Sequence, residues 1–364
     1  MPRIVIAGGG TGGHVFPALA IARALLDRIP GCEVVMVGTE RGLEARVVPQ
    51  AGFRLLTIPV AGLKGKSLVS TARGLFMLPS AFAASWGILS REKPSVVLGV
   101  GGYASGPIVA VAAMRRIPTL IHEQNMTPGS TNRWLAPFVS AVAVTFPETV
   151  AALGGRGVVT GNPVRSEFAA IPARPKGRPA HHLLIFGGSQ GSAAINRAVA
   201  DALPHLMAFR DRLRVVHQTG EAGAAAMREA YGRAGFHANV RPFIEAMAHE
   251  MNDADLIVAR AGATTVAELS AAGRAAIFVP LPTAIHDHQT HNAKTIERAG
   301  AAVVIPQAEL IGEILASAIS RLLSSEERLD AMAAAAKSMS RPDAAARIAD
   351  LASGLIDGRG RKAA

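Results

Sequence analysis

The feature that most constrains this chain is a strand-turn-helix unit that it uses twice. Ile4-Val5-Ile6-Ala7-Gly8-Gly9-Gly10-Thr11-Gly12-Gly13-His14 opens the sequence, and His182-Leu183-Leu184-Ile185-Phe186-Gly187-Gly188-Ser189-Gln190-Gly191-Ser192 repeats the design in the second half. Small and β-branched residues suit a strand buried on both faces, and the glycines allow a turn that side chains would block. The first helix is expected to begin near His14, with backbone N–H groups at its positive end facing any anion that approaches. At 364 residues the chain also exceeds what one core serves, so two domains follow.

Strands are expected at 4–7, 34–37, 55–58, 96–100, 119–122 and 141–144, alternating with helices. That alternation predicts a parallel sheet. Around 160–182 it breaks into Thr160-Gly161-Asn162-Pro163 and a Pro-rich stretch, which places a domain boundary there. Further strands at 214–217, 240–242, 256–259, 276–279 and 302–305 give a second doubly wound half, so ligands belong at the carboxyl ends of the strands. A third glycine turn, Gly99 to Pro107, lies in the first half, and its plainer reading is tight packing of strand on helix.

Composition sets wide limits. An excess of 38 Lys and Arg over 27 Asp and Glu gives +11, a field that attracts nucleic acid, anionic membranes and phosphorylated substrates alike. Aromatic residues are only 4% and no nucleic-acid module is visible, so a nucleic-acid partner is not expected. Cys32 is the single cysteine, which rules out an internal disulfide or a cysteine-rich zinc site. The glycine block interrupts the apolar run that a signal peptide needs, and no stretch is long enough to span a bilayer. The stretch from Leu75 to Leu89, with Leu75, Phe82 and Trp86 between Lys64, Lys66, Arg73, Arg91 and Lys93, reads either as a buried helix or as an apolar patch resting on anionic lipid.

Gly8, Gly10 and Gly13 satisfy the dinucleotide pattern literally, with Glu33 and Glu40 as candidate ribose acids, so an NAD-dependent oxidoreductase is one reading. It leaves the second glycine turn unexplained. A phosphate loop fails, because Gly65-Lys66-Ser67 lacks glycine at Val60. Asp253-Ala254-Asp255 suits a turn or cap better than a metal, and Asp287-His288-Gln289-Thr290-His291 suits a helix start, so no metal site is expected.

Taken together, Gly-Gly-Thr-Gly-Gly-His-Val-Phe-Pro at 9–17, Gly-Gly-Tyr-Ala-Ser-Gly-Pro at 101–107, His-Glu-Gln-Asn at 122–125, Gly-Asn-Pro-Val-Arg at 161–165, Gly-Gly-Ser-Gln-Gly at 187–191, Phe-Ile-Glu-Ala-Met at 243–247 and Arg-Ala-Gly-Ala-Thr-Thr-Val-Ala-Glu at 260–268 closely resemble the MurG family of peptidoglycan N-acetylglucosaminyltransferases. The resemblance runs in order over nearly the whole chain. It implies a GT-B fold, two Rossmann-like α/β domains facing across a cleft. The first is expected at 1–163, with a C-terminal helix near 341–356 packing back on it, and the second at 164–340. The implied reaction is inverting transfer of N-acetylglucosamine from UDP-N-acetylglucosamine to undecaprenyl-diphosphate-linked N-acetylmuramyl-pentapeptide, lipid I to lipid II. A related GT-B transferase acting on another lipid is the alternative. The implied setting is peripheral, on the cytoplasmic face of the bacterial inner membrane, beside cell-wall synthesis and division proteins.

By the same resemblance, Ser189 and the turn around it hold the donor diphosphate, joined by the Arg165 guanidinium unless Arg165 serves only a linker salt bridge. Ile244 reads the uracil edge through its backbone. Glu268 accepts from the ribose hydroxyls, and Ala263, Thr264 and Thr265 present N–H groups to phosphates and sugar. Gln289 and Asn125 contact the donor sugar, the latter from the other domain. Two departures are visible: His288 stands where relatives carry a second glutamine, and Ala261 where serine is common. Thr11, Gly12, Gly13 and His14 then face the acceptor. An inverting transfer needs a base, for which His14 is the first candidate and Glu123 the second. No tightly bound cofactor is implied, and whether the nucleotide brings a divalent ion stays open.

Overall fold

Strand β1 (Arg3–Ala7) shows how the pattern becomes architecture. Ile4 and Ile6 join one buried cluster, while Val5 and Ala7 join another on the opposite face of the sheet. The period-two alternation of a strand thus feeds two apolar layers, as a sheet covered by helices on both faces requires. The computed structural model describes residues 1–60, 77–188, 190–284 and 287–358.

The chain divides into two compact units, Met1–Arg165 with Arg341–Ala364, and Ser166–Ser340. In the first, β1 is followed by α1 (Gly12–Arg28), β2 (Glu33–Gly38), α2 (Glu44–Gln50), β3 (Arg54–Thr57), α3 (Leu78–Glu92), β4 (Val96–Gly99), α4 (Ser105–Met114), β5 (Thr119–Glu123), α5 (Ser130–Leu135), β6 (Ala141–Val144), α6 (Pro147–Ala152) and β7 (Gly157–Val159). All strand pairs are parallel, in the order β3-β2-β1-β4-β5-β6-β7, with Ile4 opposite both Val34 and Val96. The sequence pattern does not announce β7, a strand of only three residues. Helix α1 begins at Gly12, two residues before the expected start.

The second unit holds α7 (Ser166–Ala169), β8 (His181–Phe186), α8 (Ala193–Ala202), β9 (Leu213–Gln218), α9 (Ala224–Ala234), β10 (His237–Arg241), α10 (Met247–Asp253), β11 (Leu256–Ala259), α11 (Ala263–Ala272), β12 (Ala275–Phe278), α12 (His288–Arg298), β13 (Ala302–Val304), α13 (Gly312–Leu323) and α14 (Glu326–Ser338). Its parallel sheet runs β10-β9-β8-β11-β12-β13. Helix α15 (Ala344–Ile356) belongs to the first unit, where Ile348, Ala349, Ala352 and Leu355 are buried in the same cluster as Ile21 and Leu25 of α1. Burying Ile348 and Leu355 stabilises that attachment by ~1.5–3 kcal/mol each.

The first unit ends at Arg165, two residues beyond the expected boundary. The Arg165 guanidinium lies over the Phe16 ring of α1, 4.6 Å from its centre, a cation–π contact within the first unit. Asp255, half of the acid pair, immediately precedes β11 and accepts from His182 N–H (2.8 Å) and Arg174 Nη1 (3.2 Å). It is a structural carboxylate at the amino end of the sheet.

Candidate active site

In each unit the strand order reverses once, between β1 and β4 in the first and between β8 and β11 in the second. Two neighbouring strands there send their connections to opposite faces, which opens a crevice at their carboxyl ends. All three glycine turns and the Arg260–Thr265 segment lie at these two points.

In the first unit, the turns after β1 and β4 interlock. A Cβ on Gly102 would overlap the Gly9 backbone, and one on Gly101 would press on the His14 imidazole, 2.8 Å from Nδ1. Gly101 (φ +89°) therefore has two reasons to lack a side chain. The third turn is thus the floor against which His14 rests. Thr11 is the exposed N-cap of α1 and its side chain makes no capping bond, so Thr11, Gly12, Gly13 and His14 form one contiguous face at the helix start.

Behind this face lies a buried polar chain from β5. His122 Nε2 donates to the Gly161 carbonyl (3.1 Å), which leaves Nδ1 to accept from Gln124 Nε2 (3.2 Å), itself donating to Val100 O (2.7 Å). Burial pushes the His122 pKa down to about 4, so the ring is neutral near pH 7. Glu123 is 2% exposed. One of its oxygens accepts from Asn125 N–H (2.9 Å) and Asn125 Nδ2 (3.3 Å), the other from Gly129 N–H (3.0 Å) and Asn132 Nδ2 (2.8 Å). Those four bonds tie down the loop from 124 to 132 and bring Glu123 and Asn125 together.

Glu44 is the residue that motif reading misses. It reaches from α2 into the first glycine turn and accepts from Gly10 N–H (2.7 Å), Thr39 N–H (2.9 Å) and Thr39 Oγ1 (2.7 Å). Burial raises its pKa, but these donors more than offset that, and the net shift is below the usual carboxylate value. Its sequence signal is a set of glycines: a Cβ on Gly9 or Gly42 would overlap the carboxylate, and one on Gly38 its stem. By contrast Glu33, a candidate ribose acid, sits at the amino end of β2 and accepts from Arg3 (2.7 Å) and Arg54 (3.2 Å), far along the strand from the turn.

In the second unit, Ser192 N-caps α8, its Oγ accepting from Ile195 N–H (3.4 Å). Ser189 lies outside the described residues, as do Leu75, Lys64, Lys66 and Arg73. Arg260, at the end of β11, is the organising cation: it donates to Ser192 Oγ (2.8 Å), Gln307 Oε1 (2.6 Å) and the carbonyls of Val279 and Pro280 (3.0 Å each). Every one of these partners is neutral, and burial lowers the Arg260 pKa. Arg260 thereby joins the start of α8 to the segment leading into α11, two helix N-termini with their positive ends at one crevice. Ala263, Thr264 and Thr265 form the first turn of α11, and Glu268 lies buried on the next.

Gln218 bridges two expected donor contacts: its Nε2 donates to Gly188 O (2.6 Å), and its Oε1 accepts from Ile244 N–H (3.0 Å). The N–H expected to read the base is therefore engaged by a side chain in this structure. On α12, Gln289 Oε1 accepts from Leu281 N–H (3.0 Å), and Asn292 Nδ2 donates to Ala261 O (3.2 Å), which ties that helix to the same crevice. Among the described residues no group of three or more His, Cys, Asp or Glu forms a metal-holding cluster.

Comparison with known proteins decides the family. Residues 4–144 match the glycosyltransferase family 28 N-terminal domain, and residues 182–348 match its C-terminal domain. A relative from Anaeromyxobacter sp. (strain Fw109-5), named UDP-N-acetylglucosamine--N-acetylmuramyl-(pentapeptide) pyrophosphoryl-undecaprenol N-acetylglucosamine transferase, is 48% identical over 97% of this chain and 93% of its own. One of the same name from Geobacter metallireducens is 45% identical over 96% of this chain and 97% of its own. The crystal structure of Acinetobacter baumannii MurG superposes with a TM-score of 0.79 at 34% identity, covering 97% of this chain and 99% of that one.

The chain belongs to the MurG family of glycosyltransferases. Membership accounts for both matched domains and for the GT-B architecture. A UDP-bound S. aureus MnaA structure, at 14% identity and a TM-score of 0.72 over 98% of this chain, shares the fold alone. Within the MurG family frame, Arg260, Gln218 and Glu44 are the residues whose contacts the motifs do not reveal, because each acts through a side chain that crosses to another element.

Proposed function

We propose that this chain transfers N-acetylglucosamine from UDP-N-acetylglucosamine to the 4-hydroxyl of undecaprenyl-diphosphate-linked N-acetylmuramyl-pentapeptide, lipid I to lipid II, with inversion at the anomeric carbon. Near-half identity over 97% of the chain to proteins of that name supports the reading. One observation carries the division of labour: Glu44 already holds Gly10 N–H of the first glycine turn, whereas at the second crevice Arg260, paired among the described residues with neutral oxygens, joins two helix N-termini. An incoming diphosphate favours the second, where its negative charge meets a guanidinium and helix dipoles.

In that reading the second unit holds the donor: the turn around Ser189 and the start of α11 take the diphosphate, Ile244 the uracil, Glu268 the ribose and Gln289 the sugar. Occupation of the base site displaces Gln218 from Ile244 N–H. The first unit presents the acceptor through Thr11, Gly12, Gly13 and His14, with Asn125 on the sugar and Arg165 adding positive charge. The acceptor oxygen forms its bond to the anomeric carbon, the bond to UDP breaks, and the hydroxyl proton passes to the His14 imidazole. Glu123 serves as the anchor of its loop, since its oxygens already accept four hydrogen bonds. Release of UDP only when donor and a lipid I analogue are both present tests the reading; UDP release driven equally by water sinks it.

The protein acts at the cytoplasmic face of the inner membrane as a peripheral enzyme. Among the described residues no helix is long and apolar enough to cross a membrane. Of the apolar patch expected on α3, Phe82 packs partly into the core, but Trp86 is exposed under the Arg115 guanidinium. On the same side of the sheet Trp134 is 78% and Phe138 72% exposed, beside Arg133 and Arg156. Aromatic side chains rimmed by guanidinium groups suit an anionic lipid surface.

A further inference from the structure

The first glycine turn carries the literal Gly-x-Gly-x-x-Gly pattern at Gly8, Gly10 and Gly13, yet an anion is already built into it. We propose that Glu44 is a positioning residue, the resident anion of this turn: its carboxylate takes Gly10 N–H of the turn together with the two donors of Thr39, and so fixes the start of α1 that carries His14.

Three observations meet here. The carboxylate gathers three donors from two connections, Gly10 N–H after β1 (2.7 Å), and Thr39 N–H (2.9 Å) and Thr39 Oγ1 (2.7 Å) after β2. It is 1% exposed, so these bonds replace its water shell. Gly9, Gly38 and Gly42 are each shaped to it, because a Cβ at any of them would overlap its carboxyl group or the adjoining stem. The second glycine turn has no such occupant: among the described residues, the side chain bonded to it is the neutral Gln218. Among the described residues, one copy of the turn thus holds a carboxylate and the other a neutral amide.

The consequence is geometric. Gly10 N–H is bonded four residues before His14, and the imidazole rests on Gly101, whose neighbour Gly102 abuts Gly9. Loosening Glu44 thus frees the turn against which His14 is aligned. A phosphate approaching this turn would therefore not find Gly10 N–H available.

The test uses Glu44→Ala and Glu44→Gln in the full chain, read by thermal midpoint and by transferase turnover. The turnover arm rests on the function proposed above and is run beside the wild type; the melting arm does not depend on it. Glu44→Ala is expected to lose turnover on the order of 100-fold, the scale of a small misplacement of a reacting group, with KM for UDP-N-acetylglucosamine unchanged within about twofold. Formate at roughly 0.1 M is expected to raise its melting point and to restore turnover at least in part, while neutral formamide does neither. Glu44→Gln, which keeps the shape and loses the charge, is expected to fold and show the same loss. Equal rescue by formamide, no response of a folded Glu44→Ala to formate, or wild-type turnover in Glu44→Gln each overturns the proposal. An inactive wild type whose Glu44→Ala variant is still stabilised by formate refutes the transferase reading alone.

Discussion

Arg260→Met removes the guanidinium that joins the two helix N-termini of the second unit and keeps most of its volume. Four hydrogen bonds disappear, to Val279 O and Pro280 O (3.0 Å each), Ser192 Oγ (2.8 Å) and Gln307 Oε1 (2.6 Å). Bonds from a charged donor contribute about 1.5–3 kcal/mol each, so the gross loss is ~6–12 kcal/mol. Against this, methionine escapes the desolvation penalty of a buried cation, several kcal/mol. The acceptors left without a partner decide the sign, and the net destabilisation is about 2–4 kcal/mol. In a unit of this size, Ser166–Ser340, that lowers the melting point by ~5–15 °C. The same change misaligns the α8 and α11 N-termini and removes a positive charge, so UDP affinity falls about 10- to 100-fold, or ~1.4–2.7 kcal/mol. Differential scanning fluorimetry with and without UDP reads both effects. A variant that melts with the wild type and keeps its UDP shift shows that Arg260 does not join these helix ends.

His14→Ala is expected to lower turnover by about 100- to 10,000-fold while UDP affinity stays within twofold; near-normal turnover excludes His14 as the base. His122 and His217 are buried neutral, with pKa values pushed down by burial to about 4 and about 3. The unfolded chain takes up these protons near pH 6.5 and the folded one does not. Stability therefore falls as pH drops from about 6.5 toward 4, by roughly 3 kcal/mol for His122 alone, and urea midpoints that stay flat over that window contradict this. Trp134→Ser with Phe138→Ser should weaken binding to anionic vesicles at least severalfold without changing UDP affinity, and unchanged vesicle binding removes this face from the membrane proposal. If arginine and helix dipoles carry the diphosphate without a metal, a chelator leaves turnover unchanged; loss of turnover restored by a divalent ion shows that the nucleotide brings one.

Local pattern was enough for the elements that position the site. Runs such as Ile4 to Ala7 and Leu256 to Ala259 are apolar throughout and bounded by turn residues, so strand, turn and helix follow from each residue's own preferences. Glu44 defeats that logic because its partner Gly10 is 34 residues away, and only folding shows that a helical glutamate enters a glycine turn. Arg260 stood inside a recognised motif, but its bond to Ser192 spans 68 residues and leaves no periodic trace. Gln218 carries the same lesson: the residue type was visible, while its partners Gly188 and Ile244 lie 30 and 26 residues away on other connections. The short β7 escaped because three residues, the first of them a glycine, carry too little alternation to register.

The most direct test incubates the protein with UDP-N-acetylglucosamine and a short-chain lipid I analogue and determines the product linkage by proton NMR. UDP and a β-1,4-linked disaccharide are expected in equal amounts. Free N-acetylglucosamine with UDP and no disaccharide, or an α-linkage, contradicts the proposed transfer.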